Sequence, residues 1–230
     1  MSKKERIVRK ALLAKQEEFI PLASRIAEFV AQNRKKLYGG LAGIIIIGLV
    51  VFGILYYSHQ SQDKAYDMFE QGLMTSQIPE IGTEAVTTDQ IRIKDFDEII
   101  KRYPNTEAGR LTLVVYGDYH YEKANYDEAI ELYLKALKAY KDDLSMRAFV
   151  LNSIGYCYEE TKDYKAASEY FLKIIDLENG ILKDTAHFNL GRLYETMGDA
   201  LSAVTHYNKV IKDYPESIHF QAARNKVSRL

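Results

Sequence analysis

Leu151-Asn152-Ser153-Ile154-Gly155 is one of three stretches in this chain that close on a glycine within a helical pattern. The others are Leu113-Val114-Val115-Tyr116-Gly117 and His187-Phe188-Asn189-Leu190-Gly191. Behind each glycine the chain repeats itself. Three residues on stands a ring: His120, Tyr158 or Tyr194. Twelve residues on stands an alanine (Ala129, Ala167 or Ala203), and four further an aromatic (Tyr133, Phe171 or Tyr207). Ala136, Ile174 and Val210 follow three residues later. Self-similarity of this period marks a repeat architecture. The small residues let two helices approach closely, and the aromatics are expected to fill the space between neighbouring units. One such unit cannot bury its own apolar face, so about three must stack.

The pattern resembles the tetratricopeptide repeat, a helix–turn–helix unit of about 34 residues. The units run over 110–143, 148–181 and 184–217, and their glycines are 38 and 36 residues apart, which predicts short insertions between them. The third unit also has Gly198-Asp199 at its turn and Pro215 at its end, as the family pattern has. Where the family carries tryptophan this chain has Leu113, Leu151 and His187, and His120 takes a tyrosine position. Both histidines read as packed residues. A degenerate unit with a loop precedes over 58–109. Ala65, Phe69 and Leu73 mark its first helix, Phe96, Ile99, Ile100 and Pro104 its second, and residues 76–88 the loop between them. Residues 218–230 read as a capping helix. The expected fold is all-α, one N-terminal transmembrane helix followed by a tetratricopeptide-type α-solenoid.

Residues 37–57, LYGGLAGIIIIGLVVFGILYY, are 21 residues without a charge. A helix of that length rises roughly 32 Å, against about 30 Å of bilayer hydrocarbon. Tyr38 at one end and Tyr56 and Tyr57 at the other occupy the positions of an aromatic belt. The stretch is longer than the apolar part of a signal peptide, and Ser58-His59-Gln60-Ser61-Gln62 is a poor cleavage signal, so an uncleaved anchor is expected. Gly39 and Gly43 form a G-x-x-x-G pair that lets helices approach.

Residues 1–36 carry ten Lys or Arg and four acids, a charge of +6, whereas the whole chain stands at −1. The rest is therefore −7. Arg34, Lys35 and Lys36 abut the span, so the positive-inside rule places the N-terminus in the cytoplasm and the repeats across the membrane, in a bacterium on the periplasmic side of the inner membrane. Residues 3–33 read as basic amphipathic helix interrupted at Pro21, suited to lie on anionic headgroups. The acidic body argues against nucleic-acid binding.

No metal, nucleotide or disulfide chemistry is legible. There is no His-Glu-x-x-His, no Cys-x-x-Cys and no phosphate loop, and the only cysteine, Cys157, reads as a buried hydrophobe. No cofactor, small-molecule substrate or enzymatic activity is expected. Family resemblance implies a binding scaffold whose first helices line a partner groove. The groove positions carried over are Val114, Asp118, Tyr121 and Glu122, then Asn152, Tyr156, Glu159 and Glu160, then Phe188, Arg192, Glu195 and Thr196. This aromatic and mostly acidic strip suits apolar or basic extended segments, the alternative being that its acids are an ordinary solvated helix face. It lacks the lysine set with which some family members grip a C-terminal carboxylate. The layout of basic leader, single span and repeats resembles the bacterial inner-membrane ancillary subunit of the Sec translocon. That resemblance implies translocon subunits, secretory chains or periplasmic chaperones as partners. An assembly scaffold or a regulatory subunit of another envelope complex is the alternative.

Overall fold

The computed structural model describes residues 24–76, 85–178 and 180–230, and helix is the regular structure found there, with no strand among the described residues. The chain divides into two units, Met1–His59 and Gln60–Leu230.

In the first unit, residues 24–32 are helical, and Asn33 interrupts the helix before α1 (Arg34–Ser76) begins. The uncharged stretch lies in α1, with Leu41, Ile44, Ile47, Phe52 and Leu55 all exposed. Among the described residues it is the one helix long and apolar enough to cross a membrane. The expected helix over residues 3–23, with its break at Pro21, lies outside the described residues.

Among its described residues the second unit contains the C-terminal part of α1 and eight further helices: α2 (Ala85–Arg102), α3 (Glu107–Glu122), α4 (Tyr126–Ala139), α5 (Leu144–Glu160), α6 (Tyr164–Ile175), α7 (Lys183–Thr196), α8 (Ala200–Asp213) and α9 (Phe220–Val227). Of the loop expected over 76–88, Ser76 closes α1 and residues 85–88 belong to α2, which starts at Ala85, while residues 77–84 lie outside the described residues. The first helix of the first full unit begins at Glu107, three residues before position 110. Thr106 accepts a hydrogen bond from the Gly109 amide and so starts α3 at Glu107. Asp143, Asp163 and Asp199 cap α5, α6 and α8 in the same way. A short polar side chain satisfies amides that the first helical turn leaves unpaired.

Three contacts set the spacing within the helix pairs. A Cβ built on Gly117 would lie 2.5 Å from Tyr133 Cε1, one on Gly155 2.5 Å from Phe171 Cε1, and one on Gly191 2.5 Å from Tyr207 Cε1. Each ring is buried against bare helix backbone. The degenerate unit makes the same contact, with Gly72 of α1 against Phe96 of α2 at 2.7 Å. Ala65, Phe69, Phe96 and Ile99 are buried with it. Ala129, Ala136, Ala167 and Ala203 are fully buried, as the repeat pattern requires. Cys157 is fully buried, and burial pushes its thiol pKa up to about 12, which keeps it protonated.

His187 is buried and its Nδ1 lies 3.0 Å from that of His206, whereas His120 is half-buried and packs on Tyr116. Beyond α8, Ala223 of α9 joins Ala203, Tyr207 and Val210 in the last cluster and covers the end of the array.

The turns within the three full units share one backbone requirement. Seven residues after each glycine the chain adopts positive φ: 58° at Ala124, 63° at Lys162 and 80° at Gly198. Only the third position holds the residue that adopts this conformation without steric cost. Lys162→Gly is therefore expected to raise the stability of the full chain in detergent by about 0.5–1 kcal/mol, read as a higher denaturation midpoint. Gly155→Leu is expected to lower stability by about 3 kcal/mol, because the Phe171 ring has nowhere to retreat. An unchanged melting temperature for Gly155→Leu would refute the close-contact account.

Candidate partner-binding groove

Among the first helices of the three full units, α5 and α7 are bonded side chain to side chain, and α3 and α5 line a common cleft. Spacing of about one helical turn does this work. The residue after each glycine, at Asp118, Tyr156 and Arg192, and the residue four after it, at Tyr121, Glu159 and Glu195, project from one helix face.

At the junction of the second and third units, Arg192 makes a bidentate pair. Its Nη1 donates to Glu159 Oε1 at 2.7 Å and its Nη2 to Glu159 Oε2 at 2.8 Å. Burial alone would lower the guanidinium pKa, but the bonds to Glu159 overcome that and hold it above its usual value. Asn189, buried at 2% exposure, donates from Nδ2 to Tyr156 Oη at 3.0 Å and to Asn152 Oδ1 at 3.3 Å. Arg192 Nη2 also donates to Asn189 Oδ1 at 3.4 Å, so four of the expected groove residues, Asn152, Tyr156, Glu159 and Arg192, are joined in one network through Asn189.

The junction of the first and second units is built differently. Asp118, Tyr121, Tyr133, Ser153 and Tyr156 line a cleft of about 340 Å³. Tyr133 Oη donates to Asp118 Oδ1 at 2.6 Å. Asp118 is open to solvent yet has protein on several sides. Desolvation pushes its carboxyl pKa up and neighbouring Glu122 adds to the rise, against the opposing bond from Tyr133. Desolvation, reinforced by nearby Glu160, takes the Tyr121 hydroxyl up to about 12. Both shifts mark surroundings that disfavour a further negative charge.

The remaining expected positions fall elsewhere. Val114 packs half-buried on the core, and Glu122 and Glu160 are exposed at the end of their helices. Thr196 is exposed, and its hydroxyl bonds back to the Arg192 carbonyl at 2.9 Å. Phe188 stacks on His219 with ring centroids 4.5 Å apart, and Glu195 accepts from Lys226 Nζ at 2.9 Å and from Tyr207 Oη at 2.8 Å. Both therefore contact the C-terminal segment. The residues that carry-over from the family missed are Asn189, Tyr133 and Ser153. Asn189 had a signal, a lone amide between Phe188 and Leu190 in an otherwise apolar run. The ring of Tyr133 read as core, which is correct, and its hydroxyl reaches the groove as well.

Residues 110–178 match one sequence profile of the tetratricopeptide repeat and residues 185–217 match another. These stretches are tetratricopeptide repeats, a fold of protein-binding scaffolds that are generally not enzymes. No curated protein matches the chain. Among solved structures it is similar to a MamA protein, 19% identical over 74% of this chain and 81% of that one, with a TM-score of 0.53. It is also similar to a tetratricopeptide repeat protein from Parabacteroides merdae ATCC 43184, 13% identical over 75% of this chain and 59% of that one, with a TM-score of 0.53. At these identities the likeness is one of fold alone.

Proposed function

We propose that this chain is a membrane-anchored scaffold that holds other proteins through the α3–α5–α7 face of its repeats. The observation that carries this reading is the line of polar and aromatic side chains, from Asp118 and Tyr121 to Tyr156 and Arg192, left reachable on adjoining first helices. A groove of this kind offers aromatic anchors and fixed hydrogen-bonding groups, the composition of interface hot spots. The Arg192–Glu159 and Asn189–Tyr156 contacts hold part of it in place before a partner arrives, which lowers the entropic cost of binding.

Anchoring rests on residues 37–57 of α1, whose apolar side chains are exposed and whose length suits a bilayer. The ten cations of residues 1–36 support a cytoplasmic N-terminus and repeats on the periplasmic face of a bacterial inner membrane. In that setting the client class is secretory chains emerging from the Sec translocon, or the chaperones that receive them. The support for this last step is the layout of leader, span and repeats. Protease added outside spheroplasts should digest the repeats, and protected repeats would reverse the orientation.

The direct test is in-cell photo-crosslinking from position 156, with captured proteins identified by mass spectrometry. Translocon subunits or many unfolded secretory chains are expected. One folded envelope protein recovered repeatedly would make this a dedicated assembly scaffold instead. Replacing Tyr121, Tyr156 and Arg192 together by alanine should abolish capture from a neighbouring groove position, with helical content by circular dichroism unchanged. Undiminished capture would remove the groove from the account.

A further inference from the structure

The two junctions between full repeats share a register but not a charge pattern. At the second, the residue after the glycine is Arg192, and it reaches Glu159 of the preceding unit with both terminal nitrogens. At the first, the corresponding residue is Tyr156, and the position matching Glu159 is Tyr121. The cation that fills the second junction has no counterpart at the first. In its place is the cleft of about 340 Å³ lined by Asp118, Tyr121, Tyr133, Ser153 and Tyr156, none of them a cation. The volume is near the lower end of the range of about 300–1,000 Å³ for small-molecule sites, and suits one long side chain.

The chemistry of the walls is specific. Tyr133 occupies Asp118 Oδ1, and Oδ2 accepts no hydrogen bond among the described residues. Glu122 acts on Asp118, and Glu160 acts on Tyr121 ahead of Cys157, Tyr126 and Glu159, the last of which Arg192 already pairs. An anionic ligand would be repelled. A cation would gain the carboxylate and the faces of two tyrosines together. A guanidinium satisfies both at once because it is planar, donates along its edge and stacks on rings, whereas an ammonium does not stack.

Resting on the reading of this face as a partner groove, we propose that the cleft between the first and second full repeats receives an arginine side chain of the bound protein. The guanidinium donates to Asp118 and lies against the rings of Tyr121 and Tyr156. The incoming arginine supplies from outside the cation that Arg192 supplies from within the chain one unit along, but with Asp118 as acceptor, since the position matching Glu159 is Tyr121 here. The partner segment is therefore one that presents arginine within an extended stretch, and acidic segments are excluded.

The test uses the full chain in nanodiscs of zwitterionic lipid and a fluorescent capped peptide with one central arginine among small apolar residues. Empty nanodiscs correct for peptide on lipid. Anisotropy should show saturable binding, weakened about tenfold or more when citrulline, which keeps the shape and loses the charge, replaces arginine. Asp118→Asn retains an acceptor for Tyr133, so the fold is preserved, and it should weaken the arginine peptide to the same degree. Tyr156→Arg places a cation in the cleft from within the chain and should abolish binding. Equal affinity for the citrulline peptide, or an Asp118→Asn protein that binds as before, would overturn the proposal. Absence of arginine-peptide binding while crosslinked partners are still captured from position 156 would sink the arginine site and leave the scaffold reading standing.

Discussion

A bare glycine backbone pressed against an aromatic ring is the contact on which this molecule depends. Gly117 with Tyr133, Gly155 with Phe171, and Gly191 with Tyr207 each bring two helices closer than any side chain on the first would permit. The closeness buries the ring completely or nearly so, and at roughly 25 cal/mol per Å² a buried aromatic is among the largest single contributions a small helix pair can make. It also fixes which face of the first helix turns outward. With the glycine inward, the residues one and four places later lie beside the ring, within reach of its outer end, and those positions border the groove.

The same contact couples core and surface. Tyr133 and Tyr207 bury their rings on glycine and extend their hydroxyls to Asp118 and Glu195 on the neighbouring first helix. Phe171, lacking a hydroxyl, instead meets the edge of Tyr156 at 5.7 Å. At these positions the two hydroxyl-bearing rings each hold a carboxylate, and the bare ring packs on a tyrosine. Stacked repeats with one backbone plan can in this way carry different binding chemistry at successive junctions.

Much of the fold was legible because repeats state their rules several times over. One glycine or alanine would carry little weight, but three copies in register identify both helices of each pair. The degenerate first unit was only partly legible. Ala65, Phe69 and Phe96 were readable as core, whereas the glycine contact was hidden: Gly72 and Phe96 are 24 residues apart, against 16 in the full units. The turns of the first two full units were obscured too, since Ala124 and Lys162 hold the left-handed conformation that Gly198 announces in the third.

The sequence by itself determined the helical class, the period, the uncharged stretch and the list of positions facing outward from the first helices, because each depends on short-range spacing along the chain. It could not rank those positions. Arg192 with Glu159 and Asn189 with Tyr156 are 33 residues apart, and they meet only because stacking sets one first helix beside the next. Phe188 and Glu195 read as groove residues from spacing alone, yet the returning C-terminal segment places His219 and Lys226 against them. Partnership between charges is a property of distance in space, which falls off over a few ångströms. Only the tertiary structure could show that one junction already holds its cation and the other has an acid, three tyrosines and room.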